Sequence, residues 1–515
     1  MELTQALHRA LQLYPDSTAT ITAERTRSWV ECADRVARLA GGLRQLGVTA
    51  GDRIAILALN SDTYHEFMLA VSWADAVFVP VNTRWSISEI AFSLQDAGAR
   101  MLLVDGTFAP LVDEIRQHTP SLGEVICDGV ETVPAGMQFL DELIARSAPV
   151  EDARRGGDAL AGIYYTGGTT GKPKGVMLSH GNLIISALGT ASSGHWVQPG
   201  ATYLHAAPMF HMADIAGWLC VNIFGGTHVF LPRFEAGAVA RAIEKYRVSD
   251  IVVVPTMIQM LVDSPEAAGA DLSSLRRLLY GGSPISDAVI ERAAMRLPGT
   301  RLTQAYAMTE MSPVMTLLTP DEHQDPRVRS SGGRAAPHVE LRVVDDEDND
   351  VPRGTTGQIV ARGGGRMLGY WNRPEETAAA TAHGWMHTGD AGYLDEDGYL
   401  FVVDRVKDMI ITGGENVYST EVEKALATHP AVASCAVIGM PDPLWGERVH
   451  AVVVLTSGAQ ATHEELQAHV RDSIAGYKVP RTLEFVESMP LSGAGKILKR
   501  EIRASHGNDK KCSLS

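Results

Sequence analysis

The chain has 515 residues, and at about 100–200 residues per domain it is expected to fold as several units. Lysine and arginine total 45 against 61 aspartates and glutamates, and the net charge of −16 disfavours a broad surface for nucleic acid or anionic lipid. Hydrophobic residues make up 45% and charged residues 21%, which excludes extensive disorder. Five scattered cysteines without a Cys-x-x-Cys pair argue against a disulfide framework or a thiolate zinc site.

The N-terminal segment 1–18 has an amphipathic helical pattern and lacks the apolar core of a signal peptide. The most apolar stretch, 251–262, contains Pro255 and is too short to cross a bilayer. The sequence therefore predicts a cytoplasmic protein without a membrane-spanning segment.

Between residues 20 and about 320, short β-branched runs alternate with helical patterns. Strands that are apolar on both faces and separated by helices are typical of parallel sheets covered on both sides. The fold class predicted is α/β, with a large N-terminal domain of doubly wound, mainly parallel sheets. The runs that carry this prediction are 53–59, 76–81, 100–105, 250–255 and 274–282.

From about 330 to 403 the pattern changes to short strands with tight turns, which predicts a small β-rich subdomain. The acidic turn 345–354 lacks the glycine and glutamate of a calcium loop, so a solvated turn is expected there.

The last hundred residues predict a small α+β domain with its own core. Its elements are helices at 420–428 and 463–474 and strands at 432–439 and 448–455, before a polar tail from 505 that we expect to fray. The predicted domains are 1–403, a hinge at 404–407, and a mobile C-terminal domain at 408–515.

The strongest local signal is the loop Tyr164–Gly175, YYTGGTTGKPKG. Its glycines allow backbone N–H groups to approach an anion, while hydroxyls and two lysines add donors and positive charge, as in a phosphate cradle. Proline after Lys172 rules out a Walker A loop, and the flanking strand patterns predict a hairpin. A flexible turn without a ligand remains an alternative on composition alone.

This loop resembles the signature loop of the AMP-forming acyl/aryl-CoA synthetases, the adenylate-forming superfamily that includes luciferases and peptide-synthetase adenylation domains. Seven further segments resemble the other family signatures, occur in family order and extend over essentially the whole chain. These are PMFH (208–211), GGSP (281–284), QAYAMTE (304–310), TGD (388–390), DRVKD (404–408), GGENV (413–417) and PLSGAGK (490–496).

The resemblance implies that ATP and Mg²⁺ bind at the loop and at the segment after Tyr306. Glu310 would bring Mg²⁺, a hard ion that prefers oxygen ligands, together with Thr169, and Thr309 would lie beside the α-phosphate. A helix-terminal acid is the alternative for Glu310. The phosphate ligands implied are Thr166, Gly167, Gly168, Thr169, Thr170, Gly171, Lys172 and Lys174.

The resemblance also assigns the adenosine site. Tyr306 would stack on adenine, with Gly281, Gly282, Ser283, Gln304 and Ala305 along its edge. Asp390 would accept both ribose hydroxyls with help from Arg405, although a surface salt bridge is the alternative for this pair.

Two further catalytic positions follow from the resemblance. Lys496 matches the C-terminal-domain lysine that neutralises charge between the carboxylate and the α-phosphate. His211 would lie at the mouth of the acyl pocket, although a core histidine bonded to backbone is the alternative.

The acyl pocket implied is apolar, which favours a medium-chain, cyclic or aryl carboxylic acid. Many relatives carry glycine where Ala307 stands, and the extra methyl group argues against very long chains. The pocket residues are His211, Trp218, Val221, Asn222, Thr256, Ala307, Met308 and Met315.

The function implied is an ATP-dependent acid–thiol ligase that forms acyl-AMP, releases pyrophosphate and transfers the acyl group to CoA after domain rotation. Gly413, Gly414, Lys478 and Arg481 would meet CoA, and Lys407 would be the hinge residue. Transfer to an amine or a carrier-protein thiol is the alternative, and a catalytically silent nucleotide-binding regulator is a third. The partners expected are small molecules only, in a monomer or homodimer.

Overall fold

A computed structural model describes residues 1–130, 132, 134–166, 173–283, 285–405, 408–412, 415–491 and 497–507. Contacts divide the chain into two compact units. The first comprises Met1–Leu341 and Ala361–Met386, and the second comprises Arg342–Val360 and the chain from His387 onward. The predicted hinge at 404–407 stays a prediction.

The first 150 residues alternate strands and helices, as predicted. The strands are β1 (Thr18–Ile21), β2 (Thr26–Ser28), β3 (Arg53–Leu57), β4 (Val77–Pro80), β5 (Met101–Asp105), β6 (Glu124–Asp128) and β7 (Gln138–Phe139). The helices are α1 (Gln5–Leu13), α2 (Trp29–Gln45), α3 (Asp62–Trp73), α4 (Ile87–Ala97), α5 (Val112–His118) and α6 (Leu140–Arg146).

The alternation continues to residue 330. The strands are β8 (Leu160–Thr166), β9 (Lys174–Ser179), β10 (Thr202–His205), β11 (Thr227–Phe230), β12 (Asp250–Val253), β13 (Arg277–Gly281), β14 (Arg301–Ala307) and β15 (Val314–Leu318). The helices are α7 (His180–Ser192), α8 (Met212–Phe224), α9 (Ala236–Tyr246), α10 (Pro255–Val262) and α11 (Asp287–Arg296).

Short strands dominate residues 331–405, as predicted. They are β16 (Arg334–Ala335), β17 (Val339–Val344), β18 (Gly357–Gly363), β19 (Gly369–Tyr370), β20 (Met386–Leu394) and β21 (Leu400–Arg405), with one helix, α12 (Pro374–Ala380). The acidic turn closes on itself, because the Asp345 carboxylate accepts the backbone N–H groups of Glu347 and Asn349.

Two large sheets form the first unit. Over the described residues, one has the order β16-β15-β14-β13-β12-β10-β11-β1-β2 and the other β19-β9-β8-β4-β3-β5-β6-β7. Their central strands are parallel, and antiparallel pairs occur toward the edges and at the β8–β9 hairpin.

Each large sheet is buried on both faces. In β3, Ile54 and Ile56 join a core cluster that contains residues of both sheets and of α1, α2, α3, α7 and α8, so these helices lie between the sheets. Ala55 and Leu57 point to the opposite face, which α4 and α5 cover. Helices α9, α10 and α11 cover the outer face of the other sheet. Burial on two faces explains why these strands are continuously apolar.

The end of the chain forms an α+β structure in the second unit. Its strands are β22 (Ile410–Thr412), β23 (Glu415–Val417), β24 (Val432–Asp442), β25 (Gly446–Leu455) and β26 (Thr482–Phe485), and its helices are α13 (Ser419–Ala427), α14 (His463–Arg471) and α15 (Lys499–Gly507). The sheet order is β23-β22-β25-β24, with β26 paired to β25. The first three residues of the tail expected to fray from 505 instead continue α15 to Gly507, a helix held to the sheet by its buried residue Ile502; residues 508–515 lie outside the described residues.

Candidate active site

The glycine-rich loop connects two antiparallel strands, as predicted. Thr166 at the end of β8 pairs with Lys174 at the start of β9, so both stand at the mouth of the hairpin. Residues 167–172, with the predicted ligands Gly167, Gly168, Thr169, Thr170, Gly171 and Lys172, lie outside the described residues.

Lys174 is held by two neighbours. Its ammonium group forms an ion pair with Glu376 of α12 and lies 5.2 Å from the centre of the Tyr370 ring. The lysine side chain is only 21% exposed, and the Glu376 carboxylate and the Tyr370 ring hold its ammonium group in position.

Glu310 is oriented by Tyr370. It lies with Thr309 in a short 3-10 helix that follows β14, and its Oε1 accepts a hydrogen bond of 2.8 Å from the Tyr370 hydroxyl. Burial, together with the negative charge of Glu310, raises the pKa of Tyr370, so this hydroxyl remains a donor. Tyr370 therefore links the predicted metal-binding carboxylate to the predicted phosphate lysine.

Sequence reasoning did not identify Tyr370 and Glu376. Tyr370 reaches the site because the two-residue strand β19 pairs with β9, with Tyr370 opposite Val176. Such a short strand has no periodic pattern of its own, and Glu376 lies in an equally short helix. The aromatic pair Tyr370–Trp371 just before a proline-initiated helix was the one available signal.

The predicted adenine-binding residues meet at the carboxyl ends of β13 and β14. These parallel strands place Gly281 directly opposite Ala305. A Cβ on Gly281 would lie 2.2 Å from the Ala305 carbonyl oxygen, and Gly282 has φ +83°, so both positions require glycine. Ligands bind at this end of open parallel sheets.

The side chains around this edge differ in exposure. Gln304 accepts a hydrogen bond of 3.2 Å from Tyr280, which fixes its amide. Tyr306 is half-buried and Ser283 is exposed, so both can be reached by a ligand.

Asp390 and Arg405 are neighbours in the second unit, an arrangement that fits both the predicted ribose site and the alternative of a surface salt bridge. They face each other on β20 and β21, with Arg405 Nε 3.5 Å from Asp390 Oδ1. The Asp390 backbone N–H donates to Thr388 Oγ1, whose hydroxyl donates to the Ile359 carbonyl. Arg405 is half-exposed and Asp390 is 20% exposed, so the pair is fixed yet open to a ligand.

Three of the eight predicted acyl-pocket residues belong to the central core cluster, and a fourth packs against it. Trp218 and Val221 on α8 and Met315 on β15 are buried in it, and Met308 packs against it. Asn222 is buried and donates to the Trp218 carbonyl, while Ala307 is half-buried opposite Val314.

Two further residues assigned to the pocket are not members of this core cluster. Thr256 is exposed on α10, which covers the outer face of its sheet. His211 is half-buried immediately before α8, with its ring 4.3 Å from that of Phe210.

His65 of α3 was also missed. It is fully buried, and its Nδ1 accepts a hydrogen bond of 2.9 Å from Trp218 Nε1. Burial lowers the pKa of His65 to about 3, so a neutral imidazole holds the indole in place.

Two of the four predicted CoA contacts, Lys478 and Arg481, have intramolecular partners. Lys478 Nζ lies 2.7 Å from both carboxylate oxygens of Glu421. The Arg481 guanidinium stacks 4.6 Å above the exposed Trp445 ring. The predicted residues Lys407, Gly413, Gly414 and Lys496 lie outside the described residues.

Comparison with known proteins identifies the family. A model described as "AMP-binding enzyme" matches residues 7–371, and one described as "AMP-binding enzyme C-terminal domain" matches residues 421–496. Feruloyl-CoA synthase of an Amycolatopsis species is 40% identical over 501 residues, which is 97% of this chain and 98% of the relative.

Two solved structures share the whole architecture. The o-succinylbenzoate CoA synthetase of Bacillus subtilis, in complex with an acyl-adenylate, superposes with a TM-score of 0.86 at 30% identity, covering 97% of each chain. The amide bond synthetase of Marinactinospora thermotolerans superposes with a TM-score of 0.87 at 31% identity, covering 98% of this chain and 99% of that one.

Among the helices that the structure describes, none combines the length and apolarity needed to cross a membrane. The predicted fold class and ligase class are confirmed by the family matches and the structural neighbours. The chain belongs to the AMP-binding enzyme family, the adenylate-forming ligases that its eight motifs predicted.

Proposed function

We propose that this chain converts an apolar, aryl-containing carboxylic acid into its CoA thioester in two steps. First, a carboxylate oxygen attacks the α-phosphorus of ATP in line, and the bond to the bridging oxygen breaks to release pyrophosphate. Then the sulfur of CoA attacks the acyl carbon and the thiol loses its proton. The single bond between the acyl carbon and the phosphate oxygen breaks, and AMP departs with that oxygen.

The observation that carries the first step is the linked set Lys174, Tyr370 and Glu310. Negative charge grows on the β- and γ-phosphates as pyrophosphate leaves, and a positioned ammonium group stabilises that charge. Lys174 is directed by its aromatic and acidic neighbours at the mouth of the hairpin, where the phosphates would lie.

Mg²⁺ fits the oxygen donors at Glu310. The Tyr370 hydroxyl fixes Oε1 of this carboxylate, and hard cations prefer such oxygen ligands. Glu310 would hold the ion together with Thr169. The ion would neutralise phosphate charge when bound.

The adenine base and the ribose of the nucleotide would be bound by different residues. Tyr306 would stack on adenine beside the Gly281–Ala305 backbone contact, where no side chain intervenes. Asp390 would accept both ribose hydroxyls, since one carboxylate has two oxygens for a vicinal diol, and Arg405 would hold that carboxylate in place.

The acid would be apolar because three of the residues assigned to its pocket are buried among apolar side chains. Trp218, Val221 and Met315 form part of one cluster, and His65 fixes the tryptophan ring. The feruloyl and o-succinylbenzoyl groups named for two similar proteins both contain an aromatic ring. We therefore place aryl acids ahead of cyclic and medium-chain aliphatic acids.

CoA is the proposed acceptor because both of those relatives are named for CoA thioester formation. The similarity to an amide bond synthetase makes an amine the competing acceptor. Lys478 would have to exchange Glu421 for a CoA phosphate, and Arg481 is already exposed for such a contact.

We further propose that residues 404–407 form the hinge at which the C-terminal domain rotates between the two half-reactions. The backbone dihedral angles of Lys407 would change in that rotation. Lys496 would act only in adenylation, when the carboxylate and α-phosphate approach each other. Asp404, in contrast, would anchor the start of α13, because it is buried and accepts from the Ser419 hydroxyl at 2.7 Å.

One experiment tests both halves of the proposal. Pyrophosphate release is measured with ATP across aryl, cyclic and aliphatic acids, and the products are identified by mass spectrometry with CoA or amines. We expect release to be fastest with an aryl acid and an acyl-CoA product with CoA. Amide formation without any thioester would overturn the proposed acceptor, and fastest release with an aliphatic acid would overturn the proposed acid class.

A further inference from the structure

Two histidines and a glutamate converge on one face of the C-terminal sheet, in a part of the second unit to which the reaction assigns no role. His450 lies on β25, Glu484 on the adjacent strand β26, and His506 on α15. Helix α15 crosses this face because Ile502, one turn before His506, is buried against it. One ring nitrogen of each histidine and one carboxylate oxygen of Glu484 lie within 4.8 Å of one another.

His450 presents a buried nitrogen that hydrogen bonding does not satisfy. The residue is 7% exposed, and its Nδ1 is 2.8 Å from the hydroxyl of Thr482, its register partner on β26. Its Nε2 is buried and has no hydrogen-bond partner within the described residues. A buried polar atom without a partner is costly unless a ligand satisfies it.

His506 and Glu484 bring two acceptors together. His506 Nδ1 lies 2.7 Å from the Ile502 carbonyl, which can only accept, so Nδ1 carries the proton. The other nitrogen, Nε2, is 2.5 Å from Glu484 Oε2. A neutral imidazole nitrogen and a carboxylate oxygen both offer lone pairs, so this contact requires either a proton between the two atoms or a metal ion that binds both.

We propose that His450, Glu484 and His506 bind a divalent transition-metal ion of the Zn²⁺ class, with water completing the coordination. Two imidazoles and one carboxylate are a common ligand set for zinc, whereas Mg²⁺ prefers oxygen ligands. Thr482 and the Ile502 carbonyl orient the two imidazoles, as outer partners of metal-bound histidines do.

The geometry allows the ion to enter with small side-chain movements. Bonds of about 2.0–2.1 Å in tetrahedral geometry place neighbouring donor atoms about 3.3 Å apart. The three donor atoms lie within 4.8 Å of one another, and His506 Nε2 and Glu484 Oε2, which are 2.5 Å apart, would have to separate slightly. Glu484 is exposed and His506 is half-buried, so both can rotate toward the buried His450. The bound ion would join α15 to two strands of the sheet.

The test uses the full-length chain without a polyhistidine tag, stripped of metal with a chelator and titrated with Zn²⁺ by calorimetry in the presence of Mg²⁺. We expect one Zn²⁺ per chain, and Co²⁺ loaded instead should show the visible absorption of nitrogen-coordinated cobalt. His450→Val and His506→Gln should each lower the Zn²⁺ affinity by more than about 100-fold. Loss of a residue that only hydrogen-bonds to a metal ligand typically lowers the affinity about 10–100-fold. Thr482→Val, which removes only the hydrogen bond to His450, should lower the Zn²⁺ affinity by about 10–100-fold.

His463→Gln is the matched control, because His463 is an exposed histidine on α14 of the same unit. It should bind Zn²⁺ like the wild type. If His450→Val does not fold, Glu484→Gln replaces it, since Glu484 is exposed. The proposal is overturned if wild-type protein binds no stoichiometric Zn²⁺, in which case a proton alone joins His506 to Glu484. Equal affinity in wild type and the ligand variants overturns it as well.

Discussion

Replacing Tyr370 with phenylalanine tests whether the Glu310 carboxylate must be oriented for acid activation. The change removes one hydroxyl, and with it the 2.8 Å hydrogen bond to Glu310 Oε1, while the ring beneath Lys174 stays. A hydrogen bond to a charged group is worth about 1.5–3 kcal/mol. If that orientation is realised in the transition state, adenylation slows by about 10–150-fold.

The assay is pyrophosphate release at saturating ATP, repeated over a range of Mg²⁺ concentrations. Because Glu310 is the proposed metal ligand, the Mg²⁺ concentration for half-maximal rate should rise in Tyr370→Phe. Thioester formation from pre-made acyl-AMP should change little, since no phosphate bond is broken in that step.

Tyr165→Phe is the matched control, because the Tyr165 hydroxyl also donates to a carboxylate, Asp96, at 2.8 Å. Asp96 has no proposed role in the chemistry, so this variant should keep most of the adenylation rate. A Tyr370→Phe enzyme within twofold of wild type at every Mg²⁺ concentration would refute the orienting role of Tyr370. Equal losses in both tyrosine variants would show a general effect of packing.

Four further predictions follow from the proposed function and the described geometry. Lys496→Ala should slow adenylation about 10²–10³-fold and spare thioester formation from acyl-AMP, and equal loss in both half-reactions would contradict its role. Ala307→Gly should raise the kcat/KM of a long acid relative to that of a short acid by about fourfold, since one buried methyl group is worth about 0.8 kcal/mol. An unchanged ratio would mean that this residue does not touch the acyl group. Asp390→Asn should raise the KM for ATP about tenfold with little change in the KM for the acid, because one ribose acceptor is lost; equal changes in both would count against the ribose contact. Burial lowers the pKa of His65 to about 3, so unfolding takes up a proton below about pH 6.5 and the free energy of unfolding falls as the pH falls. Between pH 7 and pH 5, the decrease in the free energy of unfolding, measured with urea, should be about 2 kcal/mol smaller in His65→Asn than in wild type. An equal decrease in both proteins would refute this assignment of the His65 pKa.

Local patterns predicted those parts of the molecule in which neighbouring residues act together. The β8–β9 hairpin follows from strand patterns on either side of a glycine-rich turn, and the segment around Gly281 follows from a buried strand that ends in glycines. The parallel strands were recognised because burial on two faces leaves no polar alternation.

Residues that reach the site through distant pairing could not be predicted in this way. Tyr370 meets Glu310 across 60 positions of sequence, and Trp218 meets His65 across 153. Each contact depends on how helices and strands are stacked, which no hydropathy period encodes. The continuation of α15 past Ser505 has the same origin, because burial of Ile502 outweighs a polar composition.

If Lys174 binds phosphate as proposed, its ion pair with Glu376 makes phosphate binding an exchange reaction. An incoming phosphate replaces a carboxylate that already neutralises the ammonium group, so the affinity gained is the difference between two counter-ions. The same exchange runs in reverse when pyrophosphate leaves, because Glu376 can take up the lysine again. The departing product therefore leaves no uncompensated charge at a side chain that is only 21% exposed, and strong electrostatic binding of the nucleotide need not slow its release.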